Sequence, residues 1–366
     1  MKNLFLLSAV LMIAFSSCKK DKSEEEVKVP DLKSTEHTSD LVLIYHGGQQ
    51  RPVWNSSQLK HYVFRKNEGQ LEWLFDGFLF LEIQARINNK AYDFGSATSW
   101  TLKPTKAEWE WLIAKNFSNT NGPAAIEFLL DSLHKAGYKV PFKRKITIGI
   151  PSPIVGTANW GSIDRQPLNF DLEDDRVKAV KWYVDQTISQ FKAKNFKYIE
   201  LDGFYWIPES ASTELPLMKK VVDYVHETNH KICWIPYNYA PGADKWKEAG
   251  FDIAYQQSNY FFDLDKNISI MSRALTFARD NNMSMEMEFD GKIFQPGFIK
   301  QFYDYINLYD KYHVWDSPSV AYYEGAGAWM NMALTTDPEV SKAYKDLGDI
   351  VARRQKKVID SLGLQP

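Results

Sequence analysis

Short apolar runs alternate with longer amphipathic ones along most of this chain, and that alternation limits its fold more than any other feature. The runs fall at 41–47, 78–84, 145–151, 197–202, 231–238, 251–258, 283–289 and 319–324. Helical spacing of apolar residues covers 59–66, 106–115, 124–136, 174–194, 216–228, 267–281, 296–309 and 338–362. Strands that alternate with helices predict a parallel sheet covered by those helices. Eight such units over roughly 320 residues predict a single (β/α)8 TIM barrel of the α/β class, spanning 40–366. A doubly wound open sheet is the rival. It usually carries fewer strands and a glycine-rich phosphate turn, and neither a Gly-x-Gly-x-x-Gly nor a P-loop pattern occurs here.

The chain of 366 residues carries a formal net charge of -2, so no global basic field exists to hold a nucleic-acid backbone. Ahead of the barrel, Lys2 precedes an apolar run over 4–15 and then Ser16-Ser17-Cys18. The run is too short to span a bilayer and reads as a secretion signal over 1–17. Small residues before a cysteine resemble the lipobox of bacterial lipoproteins, which implies cleavage before Cys18 and its acylation. The following Lys19-Lys20-Asp21-Lys22-Ser23-Glu24-Glu25-Glu26 has no apolar face, and a charged tether is expected over 18–39. An acid-containing stretch after the lipid cysteine resembles the surface-export signal of Bacteroidetes lipoproteins. It implies a surface-exposed protein anchored by lipid alone to the outer membrane of a Gram-negative cell. Cys233, in an apolar run, is expected to be an inert core residue.

Alternate residues of a barrel strand face the interior. In 197–202 the apolar Ile199 and Leu201 face outward, which sets Glu200 and Asp202 inward at the strand's C-terminal end. In 283–289 the methionines Met283, Met285 and Met287 face outward, and Ser284, Glu286 and Glu288 face inward. In 78–84 the same rule sends Leu79, Leu81 and Ile83 outward and Phe80, Glu82 and Gln84 inward. A buried carboxylate without a partner costs several kcal/mol, so five inward acids need a reason. Structural pairing accounts for Glu82, Glu200 and Glu286 as well as function does. Asp202 and Glu288 stand at strand ends, where barrel sites lie. Two opposed carboxylates suit glycoside hydrolysis: one donates a proton to the leaving oxygen, and the other attacks the sugar or activates water.

An acid on strand four facing another on strand seven resembles the large clan of (β/α)8 glycoside hydrolases. That resemblance implies Asp202, in Glu200-Leu201-Asp202-Gly203-Phe204-Tyr205-Trp206, as the acid/base. It implies Glu288, in Glu286-Met287-Glu288-Phe289-Asp290, as the nucleophile, with Glu286 as the alternative. The clan's usual acid/base is a Glu preceded by Asn, whereas an Asp followed by Gly stands here. Glu200, or Glu209 in the following loop, is the alternative holder of that role. The stretches Asp40-Leu41-Val42-Leu43-Ile44-Tyr45, Trp73-Leu74-Phe75-Asp76-Gly77-Phe78 and Leu201–Trp206 also look like an uncharacterised family of Bacteroidetes surface lipoproteins. Its glycosidase-like barrel is known as a domain of unknown function.

The predicted rim suits a sugar. Trp160, Tyr205 and Trp206 offer flat faces, with Phe204, Tyr92, Phe94 and Trp100 near them. Tyr237, Asn238, Gln257 and Asn259 offer neutral hydrogen bonds for hydroxyls, and His46, Glu82, Tyr323 and Glu324 complete the substrate ring. Trp111 and Trp182 lie inside helical patterns and are expected in the core. The expected function is a glycoside hydrolase acting on an extracellular oligo- or polysaccharide, with no cofactor and no metal. The alternatives are an inactive surface glycan-binding barrel and a metal-assisted hydrolase built on His46 and the acids. The near-zero charge argues for a neutral or mildly charged glycan over a highly sulfated one.

Overall fold

The computed structural model describes residues 32–95, 101–211 and 214–364. The expected signal over 1–17, Cys18, the first part of the tether and Trp100 lie outside those residues. Eight parallel strands close into a barrel: β1 Asp40–Tyr45, β2 Gly77–Leu81, β3 Arg144–Ile150, β4 Ile199–Trp206, β5 Lys231–Trp234, β6 Ile253–Gln256, β7 Ser284–Glu288 and β8 Val320–Tyr323. Each strand pairs with the next, and β8 returns to β1 with Val320 beside Asp40. Around them run α1 Ser56–Val63, α2 Lys106–Asn116, α3 Pro123–Lys135, α4 Glu173–Lys194, α5 Leu215–Glu227, α6 Ser269–Asp280, α7 Phe298–Lys311, α8 Ala328–Leu334 and α9 Pro338–Ser361. This is the TIM barrel that the alternation predicts.

Three additions decorate it. The expected helix over 59–66 stops at Val63, and Phe64–Asn67 pairs with Gln70–Trp73 as a hairpin. Gln84–Ile87 pairs with Lys90–Asp93, and Gly161–Ile163 with Gln166–Leu168. Each turn has two residues at positive φ: Glu68-Gly69, Asn88-Asn89 and Asp164-Arg165. That geometry matches the twist of paired strands.

Leu41, Leu43, Tyr45, Leu79, Leu81, Tyr205, Cys233, Tyr255 and Ala321 fill the barrel interior. Leu79 and Leu81 therefore face inward, opposite to the expectation for β2. All five β2 residues are buried, so both faces are apolar and the period-two pattern carries no sign. The last strand and helix are fastened to the first strand at the base. Arg354 of α9 donates to Asp40 at 2.7 Å, Gln355 donates to the same carboxylate at 2.8 Å, and the Tyr322 hydroxyl adds a third bond at 2.7 Å. The end of the expected tether also packs there: Thr35, Thr38 and Ser39 are buried, and the Ser39 amide donates to Asp76 at 2.9 Å.

β4 carries the irregularity that matters most for function. Its pairing with β3 slips by one residue between Leu201 and Gly203, leaving Asp202 as a bulge. Gly203 permits this, because a Cβ there would lie 1.9 Å from the Lys231 carbonyl oxygen.

Candidate active site

At the C-terminal ends of the strands, where barrel sites are built, three glutamates come within electrostatic reach of one another. Glu286 and Glu288 of β7 stand opposite Ala321 and Tyr323 of β8, on the inward face. Glu209 lies three residues beyond β4, in a half-buried loop position.

The three environments differ. Glu288 is 2% exposed and its oxygens are crowded with donors. Its Oε2 accepts from the Ser258 amide at 3.0 Å, the Asn259 amide at 2.6 Å and the Tyr305 hydroxyl at 2.8 Å, with the Ser258 hydroxyl at 3.2 Å. Its Oε1 accepts, among the described residues, only from Asn259 Nδ2, at 3.2 Å. Burial raises its pKa, and these donors pull it back toward the ionised form. Glu286, one step deeper, is fully buried, and neither carboxyl oxygen has a hydrogen-bond partner among the described residues. Burial first, and then the charges of Glu288 and Glu209, push its pKa well above the usual carboxylate range. Glu209 is pushed up to about 7, first by burial and then by the charge of Glu288, against one bond from Gln257.

A short amide relay joins Glu209 to Glu288. Gln257 Nε2 donates to Glu209 at 3.3 Å, and Asn259 Nδ2 lies 3.0 Å from Gln257 Oε1 and 3.2 Å from Glu288 Oε1. Tyr45 and Tyr205 lie beneath, fully buried, and burial raises both phenols far above their usual range, the nearby acids adding to it. The Tyr323 ring packs edge-on against Tyr45 at 5.8 Å.

The expected acid/base residues lie at the other end. β4 runs on to Trp206, so Glu200 and Asp202 occupy its N-terminal half. Asp202 accepts from Lys145 at 2.7 Å, with Lys231 at 3.7 Å. Glu200 bonds Ser34 and has Lys145 at 3.5 Å. Both are ion-paired at the base, remote from β7's last residue. A cavity of about 620 Å3 opens there, lined by Asp202, Cys233 and Tyr255. Its size does not make it the catalytic face, since none of the three glutamates borders it.

Several expected substrate residues serve the scaffold instead. His46 is fully buried behind β1, with Nδ1 3.2 Å from Asn116 and its ring against Phe80; burial lowers its pKa to about 4. It is turned away from the glutamates, so the metal-assisted reading loses its histidine. Among the described residues no group of three His, Cys, Asp or Glu side chains is placed to hold a metal. Glu82 is held by Arg51 at 2.9 and 2.7 Å and by the amides of Ile83 and Gln84. Glu324 accepts from the amides of Gly327 and Trp329, satisfying the start of α8. Trp160 is buried against Trp109, Phe170 and Trp182. Trp206 is 1% exposed and sits between Ile150 and Trp234 on the helix-facing side. Tyr205 points inward but is only 2% exposed, below the mouth. Tyr237, Asn238, Gln257, Asn259 and Tyr323 do lie at the C-terminal end. Ser258, Tyr305 and Arg51 carry no sequence signal of this role; Tyr305 sits on a helix, where no strand alternation points to it.

A family model described as a domain of unknown function, DUF4855, matches residues 40–349. The chain belongs to the DUF4855 family. The matched region of this DUF4855 chain runs from the first barrel strand into the closing helix, and so includes all three glutamates. No curated protein matches it. Among solved structures it is similar to an intracellular xylanase from Thermoanaerobacterium saccharolyticum, at 12% identity over 86% of this chain and 98% of that one, with a TM-score of 0.39. A GH18 chitinase from Pseudoalteromonas aurantia aligns at 12% identity over 80% of this chain and 98% of that one, TM-score 0.37. The cellulose synthase subunit Z of Clostridioides difficile aligns at 11% identity over 84% of this chain and 99% of that one, TM-score 0.41.

Proposed function

We propose that this DUF4855 barrel is a glycoside hydrolase in which Glu209 is the general acid and Glu288 the nucleophile or general base. The observation that carries the reading is the contrast between two linked carboxyls. Glu209, held near pKa 7 and bonded once, keeps a proton to donate at neutral pH. Glu288, gripped by several donors, is favoured as the ionised partner and keeps Oε1 lightly bonded. Glu286 lies beneath them, where burial favours its protonated form. Tyr237, Asn238, Gln257, Asn259 and Tyr323 supply hydrogen bonds for sugar hydroxyls.

A polysaccharide-release screen on the wild-type protein, Glu209→Gln and Glu288→Gln tests the assignment. Sugar released by the wild type and lost in both variants is expected. Undiminished release by Glu209→Gln would overturn its role. Saturable glycan binding with no release by any form would instead make this a binding-only barrel.

Location belongs to the same proposal: Cys18 is lipidated and anchors the protein to the outer surface of a Gram-negative cell of the Bacteroidetes. Fatty-acid labelling that survives Cys18→Ala would sink it.

A further inference from the structure

A cavity of about 320 Å3 lies between the loop after β1, the hairpin after β2 and α2. Arg51, Arg86, Lys115, Trp111, Gln49 and Asn88 line it, and among the described residues no carboxylate does. Three cations share one small space and Glu82 offsets only Arg51, so an anion would relieve the repulsion that remains. Arg51 directs Nε and Nη2 at Glu82. Arg86 and Lys115 make no ion pair among the described residues. Trp111, expected in the core, is half-exposed on this wall. Its ring offers the flat apolar face on which a sugar stacks.

A chain of side-chain contacts runs from the cavity to the mouth. The Arg51 guanidinium lies 4.7 Å over the Tyr45 ring, and Tyr45 packs on Tyr323, the β8 partner of Glu288. Arg51 therefore touches both the cavity and, through two rings, the strand beside Glu288.

We propose that this cavity is a subsite for an acidic sugar residue, one bearing a carboxylate or a sulfate ester. Arg86 and Lys115 would take the anionic group, and Trp111 the ring. In naming a sugar, this rests on the glycan reading above, and it narrows the substrate to a glycan with acidic units.

Calorimetric titration of the full chain with a uronic-acid trisaccharide, a sulfated trisaccharide, a neutral trisaccharide and inorganic sulfate tests it. At least one acidic sugar should bind about ten-fold more tightly than the neutral one, and more weakly at high salt. Whichever acidic sugar binds better identifies the anionic group. Arg86→Gln/Lys115→Gln should abolish that preference, and Trp111→Ala should weaken all sugars but not inorganic sulfate. Arg86 is exposed and Lys115 and Trp111 are partly exposed, and an unchanged circular-dichroism spectrum verifies the fold of each variant. Equal affinity for acidic and neutral sugars, or an acidic preference unchanged in the double variant, would overturn the subsite. Inorganic sulfate binding as tightly as the sugars would overturn its sugar specificity. The catalytic reading fails separately: acidic sugar that binds but is never cleaved removes the hydrolase and leaves the subsite. Neutral glycan cleaved equally well by the double variant, with no acidic preference, does the reverse.

Discussion

The hydroxyl of Tyr305, on α7, donates to Oε2 of Glu288 across 2.8 Å. A side chain from the helical layer thus reaches the strand end and holds one oxygen of the proposed nucleophile, leaving Oε1 as the oxygen facing fewer donors.

Tyr305→Phe removes a bond that favours ionised Glu288. Its pKa should rise, and the acidic limb of the activity profile should move to higher pH. A bond to a charged group contributes about 1.5–3 kcal/mol, so kcat should fall roughly ten- to hundred-fold. A pH–rate profile that keeps its acidic limb would remove Tyr305 from this role.

Glu209 donates a proton only while it holds one. With its pKa at about 7, Glu209 should set the alkaline limb, activity declining as pH rises through that value. Glu209→Gln should lower kcat by roughly 10²–10⁴-fold and erase the alkaline limb. Persistence of that limb in the residual activity would place the titration on another group.

His46 has a pKa lowered by burial from 6.5 to about 4, so the unfolded chain binds the extra proton between those values. Stability is full above pH 6.5 and falls as pH drops toward 4, by about 3 kcal/mol from this residue. Urea unfolding of the wild type and His46→Gln at pH 7 and pH 4.5 should show a smaller acid loss in the variant. Equal losses would contradict the assignment.

Arg354→Ala leaves Asp40 buried with a charge and two neutral donors. Breaking a buried pair from one side costs about 3–5 kcal/mol, which denaturant unfolding measures. Arg354→Met together with Asp40→Leu should recover part of the loss, because a buried pair replaced by apolar groups avoids the desolvation cost. No recovery in the double variant would show that the bonds of Arg354 to the Ser39 and Ser317 carbonyls matter more.

All eight strands were legible because an apolar run bounded by helical spacing is a strong local signal. Which face a strand buries was legible only where polarity alternates. Met285 and Met287 against Glu286 and Glu288 in β7 told the two faces apart, whereas the wholly apolar β2 did not. The failure at Asp202 was one of length. β4 is eight residues long, and its second half, Gly203-Phe204-Tyr205-Trp206, is as apolar as a loop-facing aromatic patch would be. Ending the strand at Asp202 moves the apparent catalytic end down by four residues and leaves Glu209, in the loop beyond, as an alternative only. The bulge at Asp202 adds a change of phase that alternation cannot register. Contacts such as Tyr305 with Glu288 depend on how α7 packs, which no local pattern encodes.

The clamp between Asp40 and Arg354 spans 314 residues of sequence. A ring of sequential strands can grow one unit at a time, but its seam forms only when its two extremes are both present. During synthesis, the edge of β1 therefore waits for β8 and α9, an exposed template for faulty pairing over most of the chain's emergence. A chain ending before α9 should keep fast amide exchange at Leu41 and Leu43, whose N–H groups face β8; protection there would show that the seam closes without its clasp.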